Sequence, residues 1–377
     1  MVFVTGATGL LGSHLLYFLA VSGHSVSALR RKQSRLEDSR AVFLQYPDGE
    51  KYWNTINWVE GDVVQKEGLA EYVRRADYVY HCAAVVSFSG TDRMHLMNTN
   101  LQGTENVAAL CLEYQVRLCY VSSIAALGDA RQPEDLIDED TPVIAGREHS
   151  VYSQSKTAAE KLIRKYIGYG LNAVIVCPSV ILGAGMWHRS SARLFFTAAK
   201  GIPFYTRGMT GYVDVRDVCE LMIRLCEDPL VSGERFVLNG GNYTYQELFT
   251  AIARVNGVQP PWWNLAPWMT ELVWRMLACW GYLSGSKPAF TRETARSSQH
   301  CSRYSNARIL SLYPDFHFYP LVETLDHMRL VFYRSPFINN IALLIKNSHV
   351  CTIQFCSGSN VRFCDFYCCW LIFLYFF

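Results

Sequence analysis

The sequence predicts an α/β fold: a doubly wound parallel sheet with a smaller, interleaved C-terminal domain. Two observations carry the prediction. Val2, Phe3 and Val4 form the apolar run of a buried parallel strand, and Leu10 to Leu19 repeats apolar residues at helical spacing. Apolar β-rich runs then alternate with helical patterns through the first half of the chain. That rhythm calls for parallel strands joined by right-handed helical crossovers.

The first strand and helix are joined by Thr5-Gly6-Ala7-Thr8-Gly9-Leu10-Leu11-Gly12. Gly6, Gly9 and Gly12 let the chain turn sharply, bring backbone close to a pyrophosphate and pack helix against strand. The helix N-terminus adds free N–H groups and the positive end of its dipole. A strand, a glycine turn and a helix in that order point to a dinucleotide site.

Further strands are expected at Ser25–Leu29, Asn57–Val59, Tyr78–His81, Leu118–Ser122 and Ala173–Cys177. Helices are expected near Leu10–Ser22, Gly68–Arg75, Thr99–Tyr114 and Ser153–Tyr169. Residues 1–178 read as the dinucleotide-binding domain. After Pro178 the rhythm loosens into a helical Ser191–Ala199 and a Gly/Pro-rich Gly201–Gly211. Short strands at Tyr212–Val215 and Phe236–Asn239 and a helix at Val218–Cys226 follow, so 212–240 is expected to return to the first domain. The rest of 179–333 reads as the substrate domain. The tail 334–377 departs in character: it crowds Cys351, Cys356, Cys364, Cys368 and Cys369 and closes on an aromatic and aliphatic run. That run is shorter than the ~20 residues of a spanning helix. A non-native extension is favoured there over a membrane-seeking anchor.

The 377 residues are 50% hydrophobic with a formal net charge of +2, so a large core is available and no nucleic-acid partner is expected. The first strand starts at Met1, which leaves no room for a signal peptide before it. Cys82, Cys111, Cys119, Cys177, Cys219, Cys226, Cys279 and Cys301 lack CxxC spacing and read as buried free thiols of a reducing, cytoplasmic setting. The histidines show no HExxH pairing, so no metal site is expected.

Tyr152-Ser153-Gln154-Ser155-Lys156 places a phenol and an ammonium on one helix face. A nearby ammonium favours phenolate, which would lower the pKa of Tyr152 and suit it to general acid/base work on a carbonyl/alcohol pair. Ser122-Ser123 close an expected strand at the carboxyl edge of the sheet, where Ser123 can hydrogen-bond a reacting oxygen or simply cap the strand end.

These pieces, with Gly61-Asp62-Val63, His81-Cys82-Ala83-Ala84, Asn100-Leu101-Gln102-Gly103-Thr104 and Pro178-Ser179-Val180, resemble the extended short-chain dehydrogenase/reductase family, also called the NAD-dependent epimerase/dehydratase family. The resemblance covers residues 1 to about 330 and implies a Rossmann sheet. It implies Tyr152 as acid/base, Lys156 as the residue that holds the nicotinamide ribose and tunes Tyr152, and Ser123 as the residue that orients the substrate oxygen. Asn100 would lie near the nicotinamide end, or cap the helix that ends near Tyr114. Cofactor contacts are implied for Thr5, Gly6, Thr8, Gly9, Leu10, Leu11 and Gly12, for Asp62 and Val63 at the adenine, for Ala83 and Ala84, for Tyr152 and Lys156, and for Pro178 and Val180. A homodimer is also implied.

The second expected strand ends in Leu29-Arg30-Arg31-Lys32, with no acid until Glu37. Arg30 and Arg31 suit the 2′-phosphate of NADP(H), with NAD(H) as the alternative and a solvated basic turn as the plain reading. Met209-Thr210-Gly211 stands where resembling epimerases carry an arginine, and Pro178 to Gly183 looks like the dihydroflavonol-reductase and 3β-hydroxysteroid-dehydrogenase branch. Cys177 stands where that branch has arginine. Trp262, Trp263, Trp268, Trp274 and Trp280 crowd a segment apolar nearly all round. It would line an apolar substrate pocket, rest weakly on a membrane, or pack over its own domain. The expected function is NAD(P)-dependent oxidoreduction of a small-molecule carbonyl or alcohol. Nucleotide-sugar epimerisation or dehydration with tightly bound NAD is the alternative, and a non-catalytic dinucleotide-binding regulator comes third.

Overall fold

The computed structural model describes residues 1–86, 93–132, 134–144, 149–187, 191–284 and 291–334. The cysteine-rich tail beyond 334 lies outside them. The strands in chain order are β1 (Val2–Thr5), β2 (Val26–Arg30), β3 (Asn57–Glu60), β4 (Tyr78–His81), β5 (Arg117–Val121), β6 (Leu136–Ile137), β7 (Ala173–Pro178), β8 (Val180–Leu182), β9 (Phe204–Tyr205), β10 (Met209–Asp214), β11 (Arg235–Leu238), β12 (Gly241–Thr244), β13 (Trp263–Asn264) and β14 (Arg303–Tyr304). Seven of them form one sheet in the order β11-β7-β5-β4-β1-β2-β3, with every neighbouring pair parallel. The order runs outward both ways from β1, the doubly wound arrangement, and it sets all the carboxyl ends on one edge.

The helices are α1 (Leu10–Val21), α2 (Leu36–Phe43), α3 (Gly49–Trp53), α4 (Glu67–Arg74), α5 (Arg93–Met97), α6 (Gly103–Glu113), α7 (Val151–Gly168), α8 (Ala192–Ala198), α9 (Val215–Glu227), α10 (Tyr245–Val255), α11 (Pro267–Ser284), α12 (Arg292–Ser297), α13 (Ala307–Leu312) and α14 (Leu321–Arg334). Side chains alternate across the sheet, so β1 sends Val2 and Val4 to one core and Phe3 to the other. The first core takes Leu15, Leu16 and Leu19 of α1 with Leu221, Met222 and Leu225 of α9. The second takes Leu69 of α4, Val107 of α6 and Ile163 of α7.

A smaller unit stands beside the carboxyl edge. Its three-stranded sheet runs β12-β10-β8, and α8, α10 and α14 bury Phe195, Leu248, Ile252, Leu325 and Met328 in a separate core. Within 212–240, α9 and β11 join the central sheet and its core. The strand expected at Tyr212–Val215 does not: β10 pairs antiparallel with β12 and parallel with β8. The chain therefore crosses between the units several times.

The cysteine expectation needs one correction. All eight are free, and Cys111, Cys119, Cys177, Cys219 and Cys226 are buried, but Cys82 and Cys301 are half-buried and Cys279 is exposed. Cys279 falls on the outward face of α11.

Candidate active site

The loop from β1 to α1 is as tight as its glycines allow. Gly6 has φ +68°, and a Cβ there would lie 2.5 Å from the Ala83 nitrogen; at Gly12 it would lie 2.2 Å from the Gly6 carbonyl oxygen. Backbone therefore occupies the space a side chain would fill. Gly9 caps α1 without a side chain, and its first turn carries no acid, so the N-terminal N–H groups face no competing carboxylate. These features fit the phosphates of a dinucleotide. Thr5 is buried, its Oγ1 2.6 Å from His81 Nδ1, and His81 Nε2 lies 3.1 Å from Thr104 Oγ1. Leu10 packs with Val42 and Met186, Leu11 against the first core, and Thr8 donates to Ser34 Oγ at 3.4 Å.

The other expected positions follow along the same edge. Asp62 Oδ1 accepts from Val64 N–H at 3.2 Å after β3, while Val63 is buried against Gly103 and its carbonyl accepts from Asn106 at 3.0 Å. Ala83 and Ala84 follow β4 beside Gly6. Pro178 ends β7 and Val180 opens β8 on the far side of the edge, against the smaller unit.

At the centre, Ser150 Oγ accepts from Ser153 N–H at 3.0 Å and starts α7, which sets Tyr152 in its first turn. Ser123 caps a 3-10 turn, Ile124–Ala126, and accepts from Ala125 N–H at 3.1 Å. Ser153 Oγ donates to the Ala125 carbonyl at 2.7 Å and locks that turn to α7. Burial pushes the half-buried Tyr152 phenol above its ordinary range, and the nearby Ser123 hydroxyl draws it partly back. This reverses the direction expected from the Tyr-x-x-x-Lys spacing. Lys156 does share the face, but its buried Nζ donates to the Val121 carbonyl at 2.8 Å. Burial brings Lys156 down to about 8, against the opposing pull of Cys82, Cys177 and Glu160.

Asn100 is not a helix cap. It is buried within a π-helical turn, Asn98–Gln102, between α5 and α6. Its Oδ1 accepts from Val85 N–H at 2.7 Å, and its Nδ2 donates to the Val85 carbonyl at 3.0 Å and to Ser155 Oγ at 3.1 Å. Asn100 thereby ties the segment after Ala84 to the helix bearing Tyr152 and Lys156. Among the described residues, no group of His, Cys, Asp or Glu is placed to hold a metal ion.

The profile of the NAD dependent epimerase/dehydratase family matches residues 2–239. The chain belongs to this family. Membership makes it an enzyme of the oxidoreductase kind, in a family described as NAD dependent. The chain is similar to a putative dihydroflavonol 4-reductase of Synechocystis, 27% identical over 278 residues, 71% of this chain and 76% of the relative. It is similar to the 4-hydroxy-2-methyl-3-oxo-4-farnesyl-3,4-dihydroquinoline-1-oxide ketoreductase of Stigmatella aurantiaca, 28% identical over 285 residues, 73% of this chain and 81% of the relative. Among solved structures, gox2253 superposes with a TM-score of 0.72 at 26% identity, covering 89% of this chain and 98% of that one.

Two acids of this family member carry no signal of their own in the local sequence. Glu60 ends β3 in register with Arg30 on β2, and their side chains meet at 3.3 Å. One of the three cations at the end of β2, Arg30, is thus already paired, and only the parallel register of two strand ends reveals it. Glu160 is buried beneath the site. It accepts from Ser122 Oγ at 2.9 Å and pairs with Arg235 at 2.6 Å. Its spacing of four from Lys156 puts both on one face of α7, which is the one hint that points to it.

Proposed function

We propose that this family member is an NADP(H)-dependent oxidoreductase that interconverts a carbonyl and an alcohol on a small, apolar substrate. The observation that carries the reading is the placement of Tyr152 beside the turn that bears Ser123, the two elements locked by Ser153, with Lys156 one helical turn behind and held on the Val121 carbonyl. The elevated pKa keeps Tyr152 protonated, the state in which its O–H donates a proton to a carbonyl oxygen. Ser123 Oγ accepts from Ala125, and its one proton, which in the free site favours the Tyr152 phenolate, would turn to that oxygen as negative charge grows there. Lys156 spends one N–H on Val121 and keeps others for ribose hydroxyls. Arg31, exposed, and Arg30 beside it would hold a 2′-phosphate, and the Gly6–Gly12 loop would hold the pyrophosphate. Bound NADP(H) supplies the hydride. The smaller unit around 179–333 closes the substrate side.

Three features support an apolar substrate over a nucleotide sugar: Met209-Thr210-Gly211 where resembling epimerases carry an arginine, the tryptophan-rich α11, and the farnesyl-bearing compound named for the Stigmatella relative. Buried free thiols suit a reducing, cytoplasmic setting. The test is NADPH consumption over a panel of apolar ketones, comparing the wild type with Tyr152→Phe. Turnover by the wild type alone supports the proposal. A protein that retains non-exchanging NAD and acts only on sugar nucleotides overturns it.

A further inference from the structure

The helix α11 wears its apolar residues on the outside. Trp268 is 68% exposed, Leu272 50%, Met276 41% and Trp280 50%, at steps of four that make one continuous stripe. Just before it, Trp262 and Trp263 stack at 6.4 Å, and Trp262 is 67% exposed. The acid of the helix is spoken for: Glu271 pairs with Arg275 at 3.0 Å and accepts from Trp274 Nε1 at 3.0 Å. A surface helix in water shows the reverse pattern, with apolar residues inward. The stripe also flanks the site. α11 packs on α12, and Glu293 of α12 lies near the backbone of Val151, next to Tyr152.

We propose that this face docks on a lipid bilayer, with α11 lying in the plane of the interface. Indole rings combine an apolar body with a polar N–H and favour the headgroup boundary. The cations fit the same occupant. Exposed Lys200 stands three residues before Pro203, whose carbonyl accepts from Trp262 and Trp263 N–H at 2.9 and 2.8 Å, and exposed Arg193 of α8 is its neighbour, whereas Arg275 is balanced by Glu271. Cations beside an apolar face complement anionic headgroups. Among the described residues no helix is long and apolar enough to cross a membrane, so the contact is interfacial. Area argues against a second copy of the chain. At about 1.5 Å per residue and about 10 Å across, the 18-residue helix offers roughly 270 Å². That is about a third of the roughly 800 Å² per partner in a stable protein interface. Docking would turn the mouth beside Tyr152 toward the lipid and deliver an apolar ketone without passage through water. That consequence rests on the proposed function, whereas the docking itself does not.

Co-sedimentation of the full chain with vesicles of phosphatidylcholine, with and without about a third phosphatidylserine, tests it without any turnover. The wild type is expected to partition onto vesicles, more strongly onto the anionic ones. The triple variant Trp268→Ser, Leu272→Ser, Trp280→Ser is expected to lose at least about tenfold of that affinity while still binding dinucleotide. A wild type that stays in solution overturns the proposal. So does a triple variant that binds vesicles unchanged, which would assign binding to another segment such as 335–377. A variant that converts a dimer to a monomer in light scattering, with vesicle binding unaltered, overturns it in favour of a second copy.

Discussion

Asn100 and Ser155 are joined by a 3.1 Å hydrogen bond that crosses from a π-helical turn to the helix carrying Tyr152. The turn aims the Asn100 amide inward, where it also accepts and donates with the Val85 backbone. A π-turn at such a junction fits their frequent placement at functional sites. Asn100→Ala would leave the Val85 N–H and carbonyl without these partners, at a cost of about 1–3 kcal/mol. Thermal unfolding should show Tm lowered by several degrees, with turnover reduced because the Tyr152 helix loses its tether. An unchanged Tm would mean that water replaces the amide.

Tyr152→Phe removes the proton donor and should lower turnover by about 10²–10⁴-fold while leaving dinucleotide affinity nearly intact, as read by fluorescence titration.

Lys156 contributes a pH dependence of defined sign. Its folded pKa, about 8, lies below the ordinary value of 10.5, so above about pH 8 the unfolded chain binds the extra proton. Stability attributable to this group therefore rises with pH between those two values. Reduction should fall over the same range as the ammonium is lost beside Tyr152. Lys156→Met should abolish the stability increment in chemical denaturation at pH 8 and pH 10, and a wild-type increment of opposite sign would refute the assignment.

Two buried histidines set the acid limit. Burial holds His14 at about 4 and His81 at about 3, both below the ordinary 6.5. Below pH 6.5 the unfolded chain takes up protons that the folded chain refuses, so stability is lost as pH falls, by up to about 1.4 kcal/mol per pH unit for each histidine. His81→Asn should flatten the loss measured by urea unfolding between pH 6 and pH 4, the folded-state bonds to Thr5 and Thr104 being its stabilising counterweight.

The Arg30–Glu60 pair bears on cofactor choice. Glu60→Gln should free the guanidinium and raise the NADPH/NADH affinity ratio, by roughly fivefold given the modest strength of such exposed pairs. Arg31→Ala should lower the same ratio. Equal changes for both dinucleotides would show that neither arginine meets a 2′-phosphate.

Much of the central sheet is legible in the sequence, because a strand buried on both faces must be apolar throughout and its crossover helices must carry a period of 3.6. Tyr78–His81 has the expected bounds, and Ala173–Pro178 runs one residue further. Short strands in the smaller unit are harder. Tyr212–Val215 reads as part of a return to the sheet, whereas the strand runs Met209–Asp214 and takes Gly241–Thr244 as its antiparallel partner. Two-stranded pairings depend on neighbours distant in sequence, and local composition does not encode them.

The sequence by itself determined the parallel sheet, the glycine turn and Tyr152, Lys156 and Ser123 as candidates, since each rests on spacing along one strand, turn or helix, while Asn100 became a candidate through the family resemblance. Tertiary structure alone decided how those groups are poised. It supplied the burial that raises Tyr152 and lowers Lys156, the carbonyl of Val121 that receives the ammonium, the Glu60 partner of Arg30 and the outward face of α11. The reason is physical: desolvation and pairing are set by what packs against a group, and those neighbours arrive from strands and helices far along the chain.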